Sequence, residues 1–375
     1  MNKPKNILIF VNEFFGAWNT ARGGYGFIAR KLLPKALKSQ NITICIGRSK
    51  SWLFQATHLT EEGVRLIKLP KSRYLAAKIV NNYDLIISIE ATVDFLFSLK
   101  NRIKKPVLFW IQDPRTENDW KEIDTVTLAK EPCYWNQKTY DLVHECAALN
   151  KITFATQAHF LKNKAIQLYN LPPKTNIFFL PNPINQSEHQ GLNDTNKENN
   201  IIFLGRIDSV KRGWLFCEIA KRMPEYNFYI LGASTNTEEK QKNSILNDYS
   251  KLKNLHFLGH LEGQDKSLQL QKAKILVNTS IHEALPVSFL EAFAYGVTVI
   301  SNQNPDNLVS KYGRYIGNSL GNGFNEIDKY VEEINFIISN ETYRQKLANN
   351  AYEYVSTIHS SDNFNKIFAD ICKSI

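Results

Sequence analysis

Cysteines are scarce in this sequence and follow no pattern. Cys45, Cys133, Cys146, Cys217 and Cys372 make five, an odd number without a CxxC pair, so neither a disulfide framework nor a zinc ribbon is indicated and a reducing compartment is expected. Long apolar runs are missing too: nothing approaches the ~18–20 consecutive apolar residues of a membrane span. The first apolar run, Ile7 to Val11, is broken by Asn12 and Glu13 before it could act as a signal segment. The chain is therefore expected to be cytoplasmic and soluble, or at most peripheral on a membrane face. HExxH and a DxD after a strand are absent, so a catalytic metal is not expected, and a serine nucleophile is not expected either.

What is present is ordinary globular composition. With 375 residues, 43% hydrophobic and 12% aromatic, the chain exceeds the ~250–300 residues that one core serves, so two domains are expected. The 22% charged residues, 17 Gly and 13 Pro exclude a wholly disordered or collagen-like chain. The net charge of +10 favours anionic partners without choosing among nucleotides, phospholipid headgroups and nucleic acid. Basic residues concentrate at Arg30, Lys31, Lys35 and Lys38 and at Lys100, Arg102, Lys104 and Lys105. Solvated helix faces account for both clusters equally well.

Short runs of Ile, Val, Leu and Phe alternate with amphipathic stretches, the pattern of parallel sheets covered by helices on both faces. Strands are expected at 7–11, 42–46, 64–69, 84–89, 107–111, 151–155 and 176–180, with helices at 25–38, 72–82, 92–101, 137–149 and 157–169. A second block has strands at 200–204, 226–231, 255–258, 275–279 and 297–300 and helices at 213–222, 238–250, 265–272, 287–295, 326–339 and 341–357. Between them, Pro181-Asn182-Pro183 leads into a polar run, Gln186 to Asn200, that cannot bury a core face and reads as a linker. Domains at 1–183 and 184–359 are expected. Phe364, Ile367, Phe368 and Ile371 form a helical apolar stripe near the end, so 360–375 should dock on something, with the first domain one choice.

Three constellations carry candidate chemistry. The strongest is Ser280 to Gly296, SIHEALPVSFLEAFAYG, following the buried-strand run Ile275-Leu276-Val277. Pro286 is expected at the first helical position and Gly296 just past the end, which puts Glu283 on the entering loop and Glu291 inside an otherwise apolar helix. A carboxylate there needs a ligand or a partner; a surface Glu and a Glu satisfied by a basic neighbour are the competing reading. The helix start around Leu285 to Ser288 also offers N–H groups to an anion. Second, Phe203-Leu204-Gly205-Arg206-Ile207-Asp208-Ser209-Val210-Lys211 leaves a strand at the carboxyl end, where α/β sheets bind ligands. A guanidinium with an ammonium suits a diphosphate, although such loops are often merely solvated. Third, Thr20 to Arg30 places Gly23 and Gly24 between the first strand and first helix, where a backbone can approach a phosphate. The spacing is not GxGxxG, and a tight turn would explain it as well.

Together and in this order, these elements resemble the retaining nucleotide-sugar glycosyltransferases of the GT-B fold, specifically glycosyltransferase family 4. The resemblance is clearest over 200–300, where the E-x7-E pair Glu283 and Glu291 stands in the family's order, and looser over 1–180. It implies an α/β chain of two Rossmann-like doubly wound domains facing each other across a cleft, closing about the 181–200 linker, the first binding an acceptor and the second a nucleotide-sugar donor. It implies that Glu283 touches the donor sugar, with the backbone of Ala284, Leu285, Pro286 and Val287 close to the sugar and phosphates. Glu291 would bind the ribose, and Arg206 and Lys211 would neutralise the leaving diphosphate in place of a metal. Gly23, Gly24 and Gly205 would approach the donor, and the turn Gly259-His260-Leu261 would meet the base.

One departure stands after the strand 107–111. The family commonly has a His followed by Asp there, and this chain reads Gln112-Asp113-Pro114-Arg115-Thr116-Glu117-Asn118-Asp119-Trp120. Gln112 cannot act as a charged acid or base, so Gln112, Asp113, Arg115 and Trp120 stand as candidates for handling the acceptor or sugar. Asp113 capping a turn and Trp120 in the core are equally compatible with the sequence. His144 and His159 read as ordinary, partly buried histidines.

The expected function is transfer of a hexose from a UDP- or GDP-sugar to an acceptor hydroxyl, in glycan or glycoconjugate biosynthesis, with no metal and no cofactor. The acceptor could be glycan, lipid-linked or protein. Peripheral contact with an anionic membrane is compatible; a nucleic acid partner is not expected. Two rivals remain: another enzyme on this scaffold, such as a nucleotide-sugar epimerase or a phosphorylase, and a non-catalytic basic module on nucleic acid or membrane.

Overall fold

The computed structural model describes residues 4–91, 94–99, 102–184, 197–232 and 246–375. Most of the expected linker and the first half of the helix expected at 238–250 lie outside these residues. The rest forms two compact α/β units that are not contiguous in sequence. One comprises Met1–Thr116, Tyr134–Asn185 and Ile358–Ile375, and the other Glu117–Cys133 and Gln186–Thr357.

The first unit holds eight strands: β1 (Asn6–Phe10), β2 (Asn41–Arg48), β3 (Ala56–Leu59), β4 (Arg65–Leu69), β5 (Leu85–Ile89), β6 (Val107–Ile111), β7 (Thr153–Thr156) and β8 (Ile177–Phe179). Their order is β3-β4-β2-β1-β5-β6-β7-β8, and every pairing is parallel except β3 with β4. The central strands are apolar without alternation, Leu-Ile-Ile-Ser-Ile in β5 and Val-Leu-Phe-Trp-Ile in β6, and all ten of these residues are buried. That is the signature of a sheet with helices on both faces. The edge strand β3 was not expected, because Ala-Thr-His-Leu is largely exposed and shows neither an apolar run nor alternation.

The chain's last helix, Ser361–Lys373, belongs to this unit. Ser360 Oγ caps it by accepting from Asn363 N at 3.1 Å. Phe364, Phe368 and Ile371 are buried, Phe364 packs on Trp110 at 5.8 Å between centroids, and Asn365 Nδ2 donates to Ala36 O at 2.8 Å.

The second unit's sheet is wholly parallel: β9 (Glu198–Leu204), β10 (Asn227–Leu231), β11 (Leu255–Gly259), β12 (Ala273–Asn278), β13 (Thr298–Ser301) and β14 (Arg314–Tyr315), in the order β11-β10-β9-β12-β13-β14. β9 and β12 are central neighbours, so the loops leaving their carboxyl ends lie side by side. On the other side of β9, the end of β10 comes as close: a Cβ at Gly232, just after β10, would overlap Gly205 O.

The segment Glu117–Cys133 departs from the sequence expectation. It follows β6 of the first unit, yet its helix Glu117–Asp124 packs on the second, with Ile123 and Val126 inside that core and Trp120 against it. The side chain of Asn322 receives Thr127 N and Leu128 N at 3.0 and 3.1 Å. Ser209 Oγ donates to Glu131 Oε2 at 2.7 Å. Periodicity within the segment could not reveal this, since it reports which face is apolar and not which core receives it.

Candidate functional site

The second unit gathers its site at the carboxyl ends of β9 and β12. Glu283 sits on the loop after β12, and its Oε1 accepts from Lys211 Nζ at 2.5 Å, Ser280 Oγ at 2.6 Å and Asn278 Nδ2 at 3.0 Å. Its Oε2 accepts no bond among the described residues. Asn278 is fixed in turn by Ser301 Oγ, which donates to Asn278 Oδ1 at 2.9 Å. The two loops are stitched together by Ile281 N to Val210 O at 2.8 Å and Thr279 Oγ1 to Lys211 O at 2.8 Å. Asp208 organises the cations: it accepts from Lys211 N at 2.9 Å and lies 3.2 Å from Arg206 Nε. Arg206 is more exposed than Lys211, which suits it to a ligand in solution.

Between these loops lies Arg212, fully buried, in the left-handed region at φ 47°. Its guanidinium donates to Thr279 O at 2.6 Å, Gly321 O at 3.0 Å, Ser319 O and Oγ at 3.3 Å and Ser280 O at 3.4 Å. Burial lowers its pKa to about 10, which leaves it charged at neutral pH. Arg212 therefore clamps the backbone just before Glu283. In the sequence it reads as one more basic residue of a basic loop.

The helix Val287–Ala294 starts at Pro286, which occupies the N-cap rather than the expected first helical position, with no side-chain cap. Gly296 closes it at φ 63°, with Val297 N donating back to Ala292 O at 2.8 Å, a turn that favours glycine. Phe289, Leu290, Ala292, Phe293 and Ala294 are buried. Glu291 finds its partner on another helix, Gly263–Lys272, where Lys266 Nζ donates to both carboxylate oxygens at 2.7 Å. The turn before that helix places Gly259 at φ 68°, and His260 Nε2 lies 2.9 Å from Glu262 Oε1. Leu261 is half-buried beside it. Ala284, Leu285 and Pro286 are buried and Val287 is half-buried.

Sequence reasoning missed a buried pair next to Glu283: His282 Nδ1 lies 3.4 Å from Asp119 Oδ1, with both side chains nearly inaccessible. Asp119 comes from the Glu117–Cys133 segment. Trp120, a candidate for the acceptor side of the first domain, instead packs against the core of the second unit.

In the first unit, Gly23, Gly24, Gln112, Asp113 and Arg115 lie in segments that follow β1 and β6, which flank β5 in the sheet. Glu13 explains the glycine spacing. Gly26 N donates to its Oε1 at 2.9 Å, and a Cβ at Gly23 would collide with its carboxylate, whereas one at Gly24 would meet nothing within 4 Å. Gly24 is thus the glycine open to close approach.

Gln112 is buried. Its Oε1 accepts from Asn182 Nδ2 at 3.1 Å, and its backbone oxygen accepts from Gln157 Nε2 at 2.8 Å. Its Nε2 has no partner among the described residues. Asp113 Oδ2 receives Arg115 Nε at 2.9 Å. Behind this turn stands Glu90, buried at φ 54°, whose Oε2 accepts from Gln112 N and Asp113 N at 2.7 Å each and whose Oε1 accepts from Tyr169 OH at 2.5 Å. Burial holds its carboxyl above the usual range despite these bonds.

A raised folded-state pKa makes the folded form bind protons more readily than the unfolded one. Stability is then lost as pH rises from about 4.3, the unfolded value, through the folded value. Urea unfolding of wild type and Glu90→Gln across that window is expected to show the wild type losing stability relative to the variant as pH rises. Parallel pH profiles would refute the assignment.

Among the described residues no group of three or more His, Cys, Asp or Glu could hold a metal ion, and no helix is long and apolar enough to cross a membrane.

Comparison with known proteins bears on the fold and on the second unit. Residues 185–354, nearly all of the second unit, match the family model described as glycosyl transferases group 1. Solved structures are similar over nearly the whole chain. The Anabaena protein HepE in complex with UDP-glucose superposes at a TM-score of 0.74 with 12% identity, covering 99% of this chain and 100% of that one. Sucrose-phosphate synthase from Thermosynechococcus elongatus gives 0.73 with 13% identity, covering 99% and 98%. A glycosyltransferase from Rickettsia africae gives 0.71 with 13% identity, covering 100% and 99%. The fold is thus the two-unit GT-B architecture. Comparison with curated protein sequences found no match.

Proposed function

We propose that the protein is a retaining, metal-independent glycosyltransferase of family 4 type, moving a hexose from a nucleoside-diphosphate sugar, UDP- or GDP-linked, to an acceptor hydroxyl in glycan or glycoconjugate biosynthesis. The observation that carries this reading is the convergence of Lys211, Asn278 and Ser280 on one oxygen of Glu283, which orients the carboxylate while its other oxygen stays available to sugar hydroxyls. Lys211 has further N–H donors for a phosphate oxygen. With Arg206 and the uncapped start of the helix Val287–Ala294 it stabilises charge growing on the departing diphosphate, where preorganised donors lower the barrier most. Glu291 binds the ribose, steadied by Lys266, and the turn at His260 and Leu261 meets the base. Gly24 and the Gln112–Arg115 turn serve the acceptor and the transferred sugar. A cytoplasmic location follows from such a donor.

Calorimetry and thermal shift with UDP, GDP, ADP, TDP and CMP and their sugar conjugates, with and without EDTA, test this reading. One nucleotide should bind saturably and EDTA should not change it. Glu291→Ala should weaken binding about 10–100-fold, the loss of charge-assisted hydrogen bonds. Failure of every nucleotide to bind would overturn the proposal.

A further inference from the structure

The first unit carries an exposed apolar cluster built from two segments. Trp52, Leu53 and Phe54 lie in the loop between β2 and β3, and Tyr74 lies in the first turn of the helix Arg73–Val80; all four are between 62% and 72% exposed. The segments are joined by backbone bonds, Lys71 N to Ser51 O at 2.9 Å and Ser72 N to Trp52 O at 3.1 Å. The loop is also braced from within: Ser49 Oγ donates to Phe54 O at 2.7 Å, and Ser51 Oγ accepts from Leu53 N and Phe54 N at 3.2 and 3.0 Å. The polar groups are thus satisfied inside the turn while the large apolar side chains are held in solvent. An apolar cluster maintained in that way marks an interaction surface.

The charge around it is of one sign. Residues 47–55 and 71–80 contain Arg48, Lys50, Lys71, Arg73 and Lys78 and no Asp or Glu. Lys50, Lys71, Arg73 and Lys78 are exposed, and none has a carboxylate partner among the described residues. By contrast, Arg30 and Lys31 in the same unit share Glu62. Trp and Tyr favour the headgroup level of a bilayer, Leu and Phe the acyl boundary, and Lys and Arg the anionic headgroups. The apolar side chains stand on a loop and a helix start instead of lining a groove, which suits insertion among lipids.

We propose that this patch docks the first unit on an anionic bilayer surface. β2 lies beside β1 and β4 beside β2, all parallel, so the patch shares the carboxyl rim with the glycine segment. Trp18 of that segment stacks on His58 of β3 at 5.7 Å and lies 4.8 Å from Lys68 Nζ. Docking there brings lipid headgroups to the rim that serves the acceptor, so the acceptor is a lipid-linked one. Only this last step rests on the glycosyltransferase reading.

The test is co-sedimentation with vesicles of mixed phosphatidylglycerol and phosphatidylcholine, and of phosphatidylcholine alone, with UDP binding measured on the same preparation. Wild type should bind the mixed vesicles at low salt and release at high salt. Lys71→Glu/Arg73→Glu should lower the partition by at least about tenfold. Trp52→Ser/Phe54→Ser should lower it comparably with unchanged melting, and Tyr74→Ser serves if that double variant folds poorly. Wild type that ignores anionic vesicles, variants that bind as well as wild type, or self-association abolished by Trp52→Ser would each overturn the docking. Vesicle binding without any nucleotide binding would keep the docking and remove the glycosyltransferase reading.

Discussion

Lys211→Ala is expected to lower kcat for sugar transfer by roughly 10²–10³-fold, the effect of removing one preorganised donor from a developing oxyanion. The ammonium lies 2.5 Å from Glu283 Oε1, and the residue's backbone N–H is anchored by donating to Asp208 Oδ1. It can therefore meet a phosphate oxygen without first being positioned. Lys211→Met separates charge from packing, because it keeps most of the aliphatic stem that shields Glu283. Steady-state kinetics should place the loss mainly in kcat for both variants, with KM for the donor changing by a smaller factor, since the interaction is strongest in the transition state. A loss below about tenfold in kcat would assign Lys211 to holding the Glu283 loop and leave the diphosphate to Arg206.

Arg212 should govern stability instead. Arg212→Met is expected to cost about 3 kcal/mol, because truncation orphans the buried carbonyls of Thr279, Ser280 and Ser319 and the half-buried one of Gly321 that its guanidinium satisfies. A fall in melting temperature of roughly 10 °C follows for a unit of this size. Arg212→Lys should recover little of it: a single ammonium cannot reach acceptors spread across two loops as a planar guanidinium does. Thermal unfolding of both variants gives the answer. Wild-type stability in Arg212→Met would mean that water replaces the side chain and that the loop before Glu283 is held by its backbone bonds alone.

Much of this was legible in the sequence, for physical reasons. Apolar runs such as Leu85–Ile89 and Val107–Ile111 announce strands buried on both faces, and Pro286 with Gly296 brackets a helix to within one residue. Glu291 stands out because a carboxylate inside an apolar helix demands a partner. All of these are local properties of backbone and side chain. The partner itself was illegible: Lys266 lies on a different helix, and which helices adjoin depends on strand order.

The same holds for the other long-range contacts. Lys211 reaches Glu283 only because β12 ends beside β9, and Glu90 supports the Gln112–Asp113 turn only because β5 pairs with β6. Glu117–Cys133 reads as a continuation of the first domain, yet its Asp119, Ile123 and Val126 are spent on the second unit. Residue order alone was enough for the alternation of strands and helices, the need for two cores, and the residue types of the candidate site. Tertiary structure alone decided which charges pair, which core receives each amphipathic face, and which apolar side chains stay in solvent. Those outcomes depend on contacts between residues far apart in the chain, and periodicity carries no information about them.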